Sequence, residues 1–193
     1  MAHNHPLRAL IEEVLEKAIT ALGDKSVELV TVDYPESNVR IPLYYVDEIG
    51  RKASYCNVDL LILKDDKIKV ILEIDEGDFD PLRTCDNYVA SSFSQFHIHK
   101  DKEDGKRIDM GENVTFLQII GTPRLIDDLT ENRNQLRQIE DIIKSNTRDS
   151  SVKDYHLTLG TYDDFRDDKT GLIPYIMKAL GIIEREEQHT DSL

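Results

Sequence analysis

Apolar residues recur at helical spacing near the start of the chain. Leu7, Ile11, Val14, Leu15, Ala18 and Leu22 share one face, which predicts a helix over 7–22. Gly23 stands where a C-terminal cap belongs. The pattern then changes. Residues 27–32 and 39–46 are β-branched or apolar runs on either side of a Pro-Glu-Ser-Asn turn, and each predicts a strand. Residues 57–63 (NVDLLIL) and 68–74 (IKVILEI) flank a short polar turn, Lys64-Asp65-Asp66-Lys67. Two apolar runs so joined predict a β-hairpin. Both runs are apolar on both faces, so the hairpin is expected in the centre of a sheet. Beyond it the spacing predicts a helix over 86–97, a charged loop over 99–107 and a strand over 114–121. A helix over 127–145, a strand over 155–161 and a helix over 172–184 follow. Residues 186–193 are polar and expected to fray.

This order is α, a run of strands ending in a hairpin, then α-β-α-β-α. The alternating second half implies parallel strands with helical crossovers. The expected fold class is α/β: one mixed sheet flanked by helices, in a single domain over 1–193. No internal repeat or interdomain linker interrupts it.

Composition supports one globular domain. The 193 residues suffice for a core, with 39% hydrophobic and 32% charged residues. No apolar run approaches the roughly 18 residues of a membrane span. The N-terminus lacks a basic segment followed by an apolar one, so no secretory signal is read. Cys56 and Cys85 form no disulfide framework and read as small core residues of a cytoplasmic protein. The net charge of −14 argues against a nonspecific nucleic-acid binder with a broadly basic surface. An acidic metal cleft with a local basic patch remains compatible with it.

The candidate chemistry lies in the hairpin. Asp59 falls early in its first strand, and Glu73 and Asp75 at the end of its second. Side chains alternate along a strand, so Glu73 and Asp75 share a side. A hairpin brings the start of one strand beside the end of the next, so Asp59 is expected near Glu73. Like charges gathered on an apolar sheet need a counter-ion. Mg²⁺, or Mn²⁺, suits oxygen ligands of this kind, leaves room for phosphate oxygens, and activates water for phosphodiester displacement. The plain alternative is a strand running into a solvated acidic loop, to which Asp78 and Asp80 are assigned.

An Asp early in one hairpin strand, followed by acid-x-Lys at the end of the next, is the mark of the PD-(D/E)XK nuclease superfamily. This chain resembles it over residues 7–121, with a C-terminal α-β-α extension over 122–184. The resemblance implies a restriction-endonuclease-like sheet and a divalent-metal-dependent DNA endonuclease that works as a homodimer. It makes Asp59 the first acid and Glu73 the second. It places the helical acid on the first helix, where Glu12 borders the apolar face. The chain departs from the pattern in one place: Asp75 replaces the lysine, so the motif reads Glu-Ile-Asp. Asp75 then becomes a further ligand or a base acting through water. Lys69 shares the strand face but sits about 13 Å from the Glu73 end at strand rise. The same departure suits a second reading: a catalytically inactive domain of this fold that binds a protein partner.

Candidate DNA contacts are Lys100, Lys102, Lys106 and Arg107 in the charged loop. A second set, Arg133, Arg137, Lys144 and Arg148, falls within roughly 60° on a helical wheel. Solvated charged surfaces are the ordinary alternative for both. His97 and His99 are candidate metal or phosphate contacts, with surface or capping roles as the alternative. Gln95 is the loosest carry-over, as a polar residue entering the site from the second helix. The chain has no P-loop, no G-x-G-x-x-G, no G-x-S-x-G and no H-E-x-x-H.

Overall fold

The structure is a computed structural model. It describes residues 6–32, 40–45, 54–76, 81–99, 105–122, 129–146 and 150–183, without the side chains of 54–55, 81–84, 87, 99, 122, 129–136 and 146.

Helix α1 (Pro6–Leu22) buries Leu7, Ile11 and Leu15, the face its spacing predicts. Its first amides are met from far along the chain. Glu76, from the end of a distant strand, accepts the Leu7 amide at 2.7 Å and the Arg8 amide at 3.3 Å. Gly23 ends the helix with φ +67°, a conformation cheap only for glycine.

Strand β1 (Val27–Val30) pairs antiparallel with β4 (Leu60–Lys64), which pairs antiparallel with β5 (Lys67–Glu76). The β4–β5 turn places Asp65 and Asp66 at φ 54° and 57°, the two left-handed residues of a tight hairpin turn. Strand β5 also pairs with β7 (Lys106–Thr122), in parallel, and β7 with β8 (Val152–Thr161), again in parallel. The hairpin is therefore central, as its two-sided apolar pattern requires. Helix α2 (Pro81–Phe93) lies in the β5-to-β7 connection, and α3 (Leu129–Asn146) in the β7-to-β8 connection.

Strand β7 is the spine. Its second half lies between β5 and β8. Its first residues pair with β6 (Phe96–His99), which leads to β2 (Ile41–Tyr44) and β3 (Ser54–Val58). Between the pairs Ile68↔Met110 and Val70↔Thr115, β7 carries three extra residues, and Asn113 there adopts φ 55°. Such a bulge bends the strand, which suits one strand to serving both parts of the sheet. After β8 come two helices, α4 (Tyr162–Arg166) and α5 (Leu172–Ala179). Thr161 and Asp164 close a capping box on α4.

The core divides by sheet face. One face packs Leu7, Ile11 and Leu15 on Leu72, Leu117 and Ile119, closed by Phe165, Leu172 and Ile176. On the other, Tyr88 of α2 meets Phe116 and Tyr155 edge-on at 5.7 and 5.4 Å.

Several expected elements move. The strand expected over 57–63 is two strands, β3 and β4, broken at Asp59. The helix expected over 86–97 is α2, which stops at Phe93. Phe96–His99 instead forms β6, because Phe96 stacks on Tyr44 at 5.5 Å and His97 meets the Pro42 carbonyl oxygen at 3.0 Å. Lys106 and Arg107 begin β7 and do not lie in a loop; 100–104 lie outside the described residues. The last helix ends at Ala179, where Gly181 turns the chain at φ +66°. Short α4 was not expected at all.

Candidate functional site

The site forms where the chain passes from β3 to β4. Asp59 occupies that break and stays tied to β5 on both sides. Its amide donates to the Leu72 carbonyl at 3.2 Å, and its Oδ2 accepts the Ile74 amide at 2.8 Å. The side chain thus does what a strand carbonyl would otherwise do. The adjoining β4–β5 pair, Leu60↔Leu72, brings Asp59 beside Glu73. Their convergence, expected from the hairpin, is present.

One guanidinium joins the two. Arg40 Nε lies 3.2 Å from Asp59 Oδ1, Arg40 Nη2 lies 3.2 Å from Asp59 Oδ2, and Nη2 also donates to Glu73 Oε1. The β2–β3 register explains the placement. Ile41 pairs with Val58, so Arg40 stands one step further, opposite Asp59. A second guanidinium approaches from α1. Arg8 Nη1 is 3.7 Å from Asp59 Oδ1, and Arg8 Nε donates to Glu12 Oε1 at 3.0 Å. Glu12, the expected helical acid, therefore reaches the site through Arg8.

Asp75 follows a different path. Its Oδ2 accepts the Gln118 side-chain amide at 2.7 Å, and Gln118 is the register partner of Glu73 across β5 and β7. Glu73 and Gln118 are both fully buried, and Asp59 is 7% exposed. Burial and the Asp59 charge push the Glu73 carboxyl up, and the Arg40 guanidinium beside it pulls the other way and favours the carboxylate. Burial opposes the charge on Arg40, but the carboxylates of Glu73 and Asp59 outweigh it and hold the guanidinium more firmly protonated than usual.

Two guanidinium groups and three carboxylates thus form one network, with Asp75 and Gln118 beside it. Among the described residues, no three His, Cys, Asp or Glu side chains are grouped as a ligand set. The pair Asp59 and Glu73 nonetheless closes on a single cationic group. Two carboxylates with waters are an ordinary protein contribution to Mg²⁺ binding, so the donor set fits such an ion.

The other expected residues lie apart. Lys69 Nζ donates to the Glu112 carbonyl at 3.0 Å, away from the acids. Lys106 pairs with Asp66 at 2.6 Å, and Lys144 with Glu140 at 2.9 Å. Arg107 pairs with Asp109 at 2.6 Å while its guanidinium covers the Phe96 ring at 3.8 Å. Arg137 is exposed on α3. Lys100, Lys102, Arg148, Asp78 and Asp80, with the side chains of Arg133 and His99, lie outside the described residues. His97 is buried on Pro42, a structural role. Gln95 follows α2, and its backbone bridges Tyr44 and Met110, each at 2.8 Å. Cys56 and Cys85 are half-buried, and Cys56 Sγ lies 3.6 Å from the hydroxyls of Ser91 and Ser94.

Sequence reasoning missed Arg8, Arg40 and Gln118. Gln118 had a visible signal: it is the polar residue inside the apolar run Val-Thr-Phe-Leu-Gln-Ile-Ile. No described helix is long and apolar enough to cross a membrane. No family model, curated protein or solved structure matches the chain.

Proposed function

We propose that the chain is a divalent-metal-dependent endonuclease that hydrolyses phosphodiester bonds in DNA, on a restriction-endonuclease-like scaffold. One observation carries this reading: two buried carboxylates, from the break before β4 and the end of β5, converge on the single Arg40 guanidinium. The order of elements supports it. Helix α1, three antiparallel strands, a crossover holding α2 and a parallel strand are what the PD-(D/E)XK resemblance implies.

Asp59 and Glu73 would hold Mg²⁺ or Mn²⁺. The ion would supply an activated water and stabilise charge in an in-line displacement. Asp75 stands where the motif lysine is expected, and Gln118 fixes its carboxylate. Asp75 would orient or deprotonate the attacking water. Arg8 positions Asp59 and links it to Glu12. The proposal extends to a cytoplasmic homodimer on DNA, in which a second copy supplies contacts that this acidic chain lacks.

A second reading has its own support. Arg8 and Arg40 already compensate the carboxylates, as they would in a nuclease-fold domain that has lost catalysis and binds a protein partner. Cleavage of plasmid and oligonucleotide DNA in Mg²⁺ or Mn²⁺ separates the two. Metal-dependent cutting, abolished by Asp59→Ala and by Glu73→Ala, is expected of the nuclease. No cutting by the unaltered chain under any metal or salt condition would favour the silent domain.

A further inference from the structure

We propose that Arg40 is an exchangeable counter-ion: it holds Asp59 and Glu73 together until a divalent cation binds, then swings out to grip a backbone phosphate. This rests on the reading of Asp59 and Glu73 as metal ligands.

Two carboxylates side by side in a buried site stay charged together only with a cation between them. Arg40 meets that need with a fork on Asp59 and a further bond to Glu73. The two arginines are not equivalent. Arg8 is enclosed, at 6% side-chain exposure, and is held by Glu12 on its own helix. Arg40 keeps 27% of its side chain in contact with solvent and stands just before the first residue of β2. Of the two, Arg40 is the more exposed to solvent.

Exchange also conserves the charge logic. A divalent ion satisfies the same two carboxylates and exceeds the charge of the guanidinium it replaces. Arg40 is then repelled from the acids and remains tethered beside them. A planar guanidinium with five donors suits a phosphodiester oxygen pair. Arg40 thereby supplies, from the residue before β2, the positive side chain that Glu-Ile-Asp lacks. In this role it is a substrate-positioning residue.

The full chain is titrated with MnCl₂ by calorimetry, as the unaltered protein and as Arg40→Gln and Arg40→Lys. In parallel, the Arg40 Nε–Hε resonance of the unaltered protein is followed with MgCl₂. An oligonucleotide duplex in Ca²⁺ probes phosphate binding. Arg40→Gln is expected to bind Mn²⁺ about tenfold tighter, its internal competitor being gone, and the duplex about tenfold weaker. Arg40→Lys is expected to fall between, and the Nε–Hε resonance to move to a solvent-exposed position. Mn²⁺ binding by Arg40→Gln that is equal or weaker, with an unmoved resonance, would overturn the exchange while leaving the metal site standing. No Mn²⁺ binding by any of the three proteins would overturn both. The resonance decides the matter even where a variant does not fold.

Discussion

The Ile74 amide donates to the Asp59 carboxylate at 2.8 Å, so a side chain serves as the strand acceptor where β3 gives way to β4. Asp59 therefore has a structural task apart from any chemistry. Asp59→Ala removes the acceptor and leaves Arg8 and Arg40 without their shared partner. Breaking a buried charged network in this way costs about 3 kcal/mol or more. Asp59→Asn keeps an oxygen for Ile74 and is expected to lose less, about 1–2 kcal/mol. Urea unfolding followed by circular dichroism measures both. An Asp59→Ala protein as stable as the unaltered chain would show that β4 holds its place without this bond.

Glu140 on α3 provides a pH prediction away from the acids. It accepts Lys144 at 2.9 Å and lies 3.5 Å from His156 on β8, whose ring stacks on Tyr175. Burial would raise its pKa, but hydrogen bonds from His156 and Lys144 outweigh burial and hold it down, at about 2 against an ordinary 4.5. A depressed folded-state pKa contributes stability that is present above the unfolded value. That contribution is lost as pH falls from about 4.5 towards 2. Glu140→Gln abolishes it at every pH. Thermal unfolding of both proteins between pH 6 and pH 3 should show their stability gap narrowing as acid is added. A gap of constant size would mean that the Glu140 charge does not anchor α3 to β8.

The legible parts of the molecule are those set by local pattern. The β4–β5 hairpin follows from two apolar runs around Asp65-Asp66, and the Asp59–Glu73 approach follows from the hairpin. The parallel crossovers followed from alternating periodicity in the second half. What stayed hidden depends on pairing between distant segments. Ser54-Tyr55-Cys56-Asn57 has no apolar alternation and becomes β3 only because β2 lies beside it. Arg40 reaches Asp59 through that same pairing, so nothing near Arg40 in the sequence announces it. The break at Asp59 is invisible in an apolar run because the Ile74 bond that permits it comes from the next strand. Phe96 to His99 alternates like a strand, but the helix before it obscured the change of period.

Gln118 offers a test that couples stability to the proposed cation. It is buried opposite Glu73, its amide donates to Asp75, and its Oε1 has no hydrogen-bond partner among the described residues. An amide here contributes a donor and no charge. Gln118→Glu removes the donor and sets a further carboxyl between Glu73 and Asp75. Without a divalent ion this is expected to lower stability by about 3 kcal/mol or more, because the added charge is buried among like charges. Ligand binding to the folded state restores stability by mass action, so excess Mg²⁺ should recover part of the loss if these carboxylates hold the ion. Gln118→Met is the control. It keeps the volume, forfeits the bond to Asp75 at a cost of about 1–2 kcal/mol, and should respond to Mg²⁺ as the unaltered chain does. Melting temperatures in chelator and in Mg²⁺ compare the three. A Gln118→Glu deficit unmoved by Mg²⁺ and Mn²⁺ would count against a cation site at the end of β5 and in favour of a network already complete with its two arginines.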